Sequence, residues 1–423
     1  MQSKESKIFI GFICLLVLFS FPQKTMAGKI WEETKNFVGL VQEVNSSSFQ
    51  QTKQVLDKSK QIKGIYLTQY TGGSSSTWAV NKRKEIQKLL QETELNAVVI
   101  DVKEVQGVSF SPELKNFVDE LHKNDIWVIA RIVVCRDSSL IFRNRDWYLK
   151  DLNNALWQDK SGYYWLDPSC AEVQEYISDV SKQAIDLGFD EIQFDYLRFP
   201  DRGNLNDIIY SCFNKEEKKR TAIKGFYSFL SQNLRSYKKD VILSIDLFGL
   251  VAQYFNISGT GQNVEDCLGE FDYISFMLYP SHFFDGFHSN KAYYTVPSEH
   301  VYEVVFLSIQ SASDYIDNLN YFPEYSFIFP QRASLVSLGK SLFQNYRQML
   351  VSLKQRETEI RPWLQDFDLE AEKEKGIYYD TQKVRDQIDA SEKAGGLGWL
   401  LWNPWNVYTY QALKKVDSIR IED

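Results

Sequence analysis

The sequence predicts a (β/α)8 TIM barrel preceded by an N-terminal helical or flexible stalk. Three observations predict it. Eight short apolar runs alternate with longer amphipathic stretches, the pattern of parallel strands joined by right-handed helical crossovers. Several runs carry polar residues at every second position near their ends, so the charged groups of one strand share one face. No Gly-x-Gly-x-x-Gly follows the first run, which removes support for a dinucleotide-binding open sheet.

The elements follow in order along 423 residues. Lys4 and Lys7 precede an apolar stretch, Ile8 to Phe21, too short for an ordinary membrane span. Thr25-Met26-Ala27 then places small residues where a signal peptidase reads them, so 1–27 is expected to be an export signal. An uncleaved membrane anchor is the alternative. Residues 28–61 are polar and read as the stalk, with a break at Asn45-Ser46-Ser47-Ser48. The barrel is expected over 62–415, with no later membrane span. Its strands are Gly64–Tyr70, Ala97–Lys103, Trp127–Val134, Glu191–Phe199, Val241–Gly249, Tyr273–Tyr279, Ile360–Asp366 and Gly396–Asn403. Helical patterns between them include Lys82–Thr93, Pro112–Asn124, Ala171–Leu187, Lys215–Tyr237 and Val301–Leu319.

Composition excludes several function classes. A chain that is 44% hydrophobic and 15% aromatic can bury enough surface to fold, so disorder is excluded. The net charge of −8, with no Lys/Arg-rich run, argues against nucleic-acid binding. His122, His282, His288 and His300 are scattered, and Cys135, Cys170, Cys212 and Cys267 form no Cys-x-x-Cys, so no metal is expected. Those four cysteines allow three disulfide pairings, or free thiols. Nucleophile-elbow and P-loop motifs are absent, and no cofactor is expected.

Carboxylates remain, and period-2 geometry directs them to the barrel axis. Asp101 and Lys103 oppose Val98, Ile100 and Val102; Arg131 stands among Ile and Val. Gln193 and Asp195 oppose Ile192 and Phe194, and Ser244 and Asp246 oppose Leu243 and Ile245. Barrel active sites are built at these carboxyl-terminal strand ends. An inert ion pair, with Arg131 or Arg198 neutralising Asp195, is the competing reading. Paired carboxylates suffice for glycoside hydrolysis, one protonating the leaving oxygen and one attacking or activating water. Trp147, Trp157, Tyr163, Tyr164 and Trp165 in the long third loop could stack on sugars, as could Trp399, Trp402 and Trp405.

The run Glu191-Ile192-Gln193-Phe194-Asp195-Tyr196-Leu197-Arg198-Phe199-Pro200 resembles the signature of the bacterial DUF4015 family. Segments that look like the same family in the same order include Gly64-Ile65-Tyr66-Leu67-Thr68, Ile100-Asp101-Val102-Lys103 and Trp165-Leu166-Asp167-Pro168. Asp246-Leu247-Phe248-Gly249, Tyr279-Pro280-Ser281-His282, Arg361 to Phe367 and Gly398 to Asn403 continue the series. The resemblance covers about Lys63 to Tyr410 and implies a glycosidase-like TIM barrel acting on a cell-surface or extracellular oligo- or polysaccharide. An insertion relative to that family is expected around 321–354, before the seventh strand.

Roles are assigned by position. Asp195 is expected to be nucleophile or base, Asp246 the proton donor and Asp366 the alternate donor. Asp101, Lys103, Arg131 and Arg198 are expected to position substrate or tune charge. Tyr279, His282, Gln365 and Asn403 are expected to hydrogen-bond sugar, with Asp167, Gln193 and Trp402 completing the substrate set. A non-catalytic carbohydrate-binding or envelope-structural barrel is the alternative function.

Overall fold

The computed structural model describes residues 46–214, 217–289, 292–319 and 357–415. The expected export signal, most of the stalk and the insertion at 321–354 lie outside the described residues. The chain divides into two compact units, Met1–Gln54 with Tyr321–Arg356, and Val55–Asn320 with Glu357–Asp423. Of the first, the described part is the opening of a helix, α1, that runs Ser47–Ser59. The second holds the barrel.

Eight parallel strands close on themselves. They are β1 (Lys63–Leu67), β2 (Ala97–Glu104), β3 (Trp127–Val133), β4 (Glu191–Asp195), β5 (Ile242–Phe248), β6 (Tyr273–Leu278), β7 and β8 (Trp399–Trp402). Strand β7 comes in two pieces, Glu359–Ile360 and Trp363–Gln365, both parallel to β6. Each strand pairs with the next, and β1 pairs with both β2 and β8, so no edge remains. Pro362 explains the break in β7: it has no N–H to give the ladder, and only its carbonyl is used, by Leu400. Among the described residues, no helix is long and apolar enough to cross a membrane.

Alternation sorts the strand residues into two cores. Val98, Ile100, Val102, Ala130, Ile132, Phe194, Ile245 and Leu247 face the helix layer and join one large cluster. Ala97, Val99, Trp127, Ile129, Ile242, Tyr273, Trp363 and Leu400 fill the barrel interior in a second. Helices start where their caps dictate. The Ser76 and Ser111 side chains accept from the amides of Ala79 and Leu114, opening Thr77–Glu92 and Pro112–Lys123. Gly188, at φ 112°, closes Ala171–Leu187 in the left-handed region.

The interior also carries a buried ion pair near the strand beginnings. Arg361, turned inward at the break in β7, donates to Glu191 at 2.9 and 2.8 Å and to the Ser59 carbonyl at 2.7 Å. Ser244 and Trp127 also donate to Glu191, so both oxygens are satisfied. A Cys170–Cys212 disulfide joins the loop after β3 to the loop after β4, while Cys135 and Cys267 are buried free thiols.

Candidate active site

At the carboxyl-terminal ends of β2 to β5, four carboxylates converge on Arg131. Its Nη1 lies 2.6 Å from Asp101 Oδ1 and 3.8 Å from Glu104 Oε1. Its Nη2 donates to Asp195 Oδ2, and its Nε lies 3.6 Å from Asp246 Oδ2. Arg131, Asp101, Asp195 and Asp246 are each at most 4% exposed. The guanidinium sits over Trp402, 4.8 Å from the ring centroid, and Trp402 stacks on Tyr66 at 3.8 Å. Tyr66 in turn donates its hydroxyl to Asp101 Oδ2.

Asp195 and Asp246 differ in their surroundings. They follow directly on Phe194 and Ile245, which pair across β4 and β5, and both point into the barrel. Asp195 accepts from Arg131 on one oxygen and from the Tyr196 amide, at 2.6 Å, on the other. That amide is aimed by a strained backbone: Tyr196 adopts φ 53°, a left-handed conformation that costs a tyrosine about 1–3 kcal/mol. Asp246 accepts from Trp363 Nε1 at 2.8 Å on Oδ1, and its Oδ2 has no hydrogen bond within the described fold. Burial and the neighbouring Asp195 charge push the Asp246 carboxyl well above its ordinary range; Arg131 and Trp363 oppose this only in part. Burial, and then the Asp246 and Asp195 charges, likewise push the Tyr279 phenol up, which keeps it a hydroxyl donor.

Several sequence-predicted residues belong to this centre: Asp101, Arg131, Asp195, Asp246, Tyr279 and the half-buried Trp402. Gln193, one turn of the pleat below Asp195, donates to Ser275 at 3.2 Å and leaves its Oε1 without a partner. His282 is exposed, its ring 5.3 Å from that of Tyr279.

The remaining predicted residues spend their polar atoms on the fold. Lys103 is wholly buried, 2.8 Å from Asp137 and donating to the Val133 carbonyl at 2.6 Å. Asp167 accepts from the amides of Ser169, Cys212 and Phe213, holding two loops together beside the disulfide. Arg198 pairs with Asp201 at 2.7 Å rather than with Asp195. Gln365 accepts from Ser281 at 2.9 Å and donates to the Phe367 carbonyl at 2.9 Å. Asn403 donates to the Asp366 carbonyl and accepts from the Trp405 amide. Asp366 has both oxygens engaged by Thr409, through its hydroxyl at 2.6 Å and its amide at 2.8 Å.

Sequence reasoning missed Tyr66, Glu104, Tyr196 and Trp363. Parity could have found two of them, since Tyr66 and Trp363 lie two residues from inward-facing Gly64 and Gln365 on their strands. Glu104 was hidden by a register shift between Asp101 and Lys103 that resets the alternation. Among the described residues, one cluster places metal-type donors close together, Asp167 with Cys170 and Cys212. The two cysteines are joined in the disulfide, so neither offers a thiolate.

A closed barrel with inward carboxylates at its strand ends is the architecture of many hydrolytic enzymes. The chain matches the family DUF4015, described as "Putative glycosyl hydrolase domain", over residues 64–329 and 335–408, and it belongs to that family. No curated protein matches it. Among solved structures, it is similar to a hypothetical protein from Ruminiclostridium thermocellum ATCC 27405. That pair shares 30% identity over 43% of this chain and 96% of the other, with a TM-score of 0.37. It is also similar to the α-galactosidase TtGalA from Thermus thermophilus, at 11% identity, 85% and 67% coverage, and a TM-score of 0.42. The trehalose-6-phosphate hydrolase of Bacillus licheniformis is similar at 14% identity, 60% and 56% coverage, and a TM-score of 0.37.

Proposed function

We propose that this protein is a glycoside hydrolase that cleaves a cell-surface or extracellular polysaccharide with Asp195 and Asp246. The observation that carries the reading is the asymmetry of these neighbours. Asp195 is held by Arg131 and the Tyr196 amide, the contacts of an acceptor-only carboxylate. Asp246 is desolvated beside it, which makes its carboxyl hold a proton more tightly. One group then serves as nucleophile or base and the other as acid, the division of labour that glycoside hydrolysis needs. Tyr279 would contact sugar as a hydroxyl donor and Trp402 as a ring platform, a reading supported by their position beside Asp246 and Arg131. The Cys170–Cys212 disulfide supports an oxidising, exported location.

Hydrolysis of a panel of bacterial cell-wall glycans and exopolysaccharides, read by new reducing ends, tests the proposal. Asp195→Asn is expected to lose about 10²–10⁴-fold in rate with its circular dichroism unchanged. Asp246→Asn is expected to lose activity on natural glycans yet keep more of it on aryl glycosides, whose leaving groups need no proton. No turnover of any glycan, with glycan binding that survives Asp195→Asn, would instead favour a non-catalytic carbohydrate-binding barrel. The extent of the Arg131 ion-pair network is what keeps that second reading in play.

A further inference from the structure

Trp363 touches the proposed acid and has no role in the reaction described so far. It lies on β7, 1% exposed, with its ring edge-on to Trp402 at 5.4 Å and to Tyr66 at 6.5 Å. Those contacts fix the direction in which its indole N–H points. That N–H reaches Asp246 Oδ1 at 2.8 Å. An indole nitrogen can only donate, never accept. The oxygen it holds must therefore be an acceptor in both protonation states of the carboxyl.

Resting on the reading of Asp246 as the acid, we infer that Trp363 is a positioning residue that confines the Asp246 proton to Oδ2. That oxygen has no hydrogen bond within the described fold, so nothing in the protein competes with a substrate for the proton. During cleavage the proton passes from Oδ2 to the glycosidic oxygen as that oxygen takes the electron pair of the breaking bond to the anomeric carbon. Asp195, or water that it deprotonates, supplies the new bond to that carbon. Asp246 is left as a carboxylate, and the Trp363 bond to it becomes charge-assisted and stronger as the transfer proceeds. The indole therefore stabilises the product of proton transfer more than the acid that begins it.

Other groups bear on this carboxyl and must be kept constant. Asp195 and Arg131 face it from β4 and β3, Tyr279 from beyond the end of β6, and Glu191 from below, already paired with Arg361. None of them contacts Trp363 Nε1, so a change at Trp363 leaves these neighbours in place.

The first measurement needs no substrate. In ¹⁵N-labelled protein, the indole N–H resonance assigned to Trp363 through Trp363→Phe is followed against pH. It should move with a midpoint well above 3.8, and the movement should vanish in Asp246→Asn. A resonance that stays still, or moves only near pH 4, overturns the inference even if the enzyme is active. The second measurement is the pH-rate profile of Trp363→Phe, which keeps a ring but loses the donor. Its alkaline limb should move up by about one to two pH units, the worth of a hydrogen bond to a charged group, while kcat falls and KM changes little. An unmoved limb with only a lowered Tm would mean that the indole is packing alone. Failure to cleave any glycan would sink the hydrolase reading without touching the resonance titration.

Discussion

The carboxyl at the end of β7 offers the clearest stability test. Burial pushes Asp366 from an ordinary 3.8 up to about 6, against two hydrogen bonds from Thr409 that work to lower it. A shift of about two units corresponds to about 3 kcal/mol. Between about pH 4 and pH 6 the folded protein keeps a proton that the unfolded chain has released. Stability should thus fall by that amount as pH rises through the window, and level off above it. Asp366→Asn removes this dependence. The amide nitrogen it introduces would face a Thr409 donor, a cost of about 1–3 kcal/mol, but that cost does not vary with pH. The difference between variant and wild type, compared at pH 4.5 and 6.5 by calorimetry, isolates the carboxyl. About 2 kcal/mol of the change falls between these two pH values, so for 423 residues the variant should gain on the wild type by about 2 °C in Tm across the interval. Parallel Tm curves would show that Asp366 ionises normally and refute the reasoning. The same variant separates the two candidate donors, because the alkaline limb of activity should stay in place if Asp246 is the acid.

Two further predictions concern the supports of the site. Arg131→Met leaves Asp101 and Asp195 buried without their shared guanidinium, and should cost about 3–5 kcal/mol in urea unfolding, with Arg131→Lys recovering only part of it. The Cys170–Cys212 bond closes a sequence separation of 42, so replacing both with Ala should cost about 4 kcal/mol. Reductant should then lower the Tm of the wild type and leave that of the variant unchanged.

The barrel was legible because parity in a buried strand is a strong constraint. Val98, Ile100 and Val102 had to leave the axis if Asp101 were to reach it, and the same holds for Phe194 and Asp195. Parity speaks only of faces, however. It sent Lys103 to the axis beside Asp101, whereas the register shift after Asp101 pairs Lys103 with outward-facing Ile132, and Asp137 in the loop after β3 takes up its charge. The same limit applies to Asp366, Asn403 and Gln365. Their partners Thr409, Trp405 and Ser281 come from loops that fold back over the strand ends, and loop geometry leaves little periodic trace. Arg361 and Pro362 were read as the start of a continuous strand, whereas proline breaks the ladder there and turns a guanidinium toward Glu191.

The asymmetry between the surroundings of Asp195 and Asp246 depends on Asp101, which contacts neither and acts through Arg131. Arg131 has three nitrogens and four carboxyl groups within 4 Å, so its position decides which of them it hydrogen-bonds. Asp101, held by the Tyr66 hydroxyl, takes Nη1 at 2.6 Å, and the Trp402 ring supports the guanidinium at 4.8 Å. Anchored on that side, Arg131 presents Nη2 to Asp195 and keeps Nε 3.6 Å from Asp246, beyond hydrogen-bond reach. Were Asp101 absent, the guanidinium would be free to turn toward Asp246 and favour its ionised form, opposing the upward push of burial. On the proposed mechanism, Asp101 therefore supports the acid role of Asp246 through Arg131 and takes no part in the proton transfer itself.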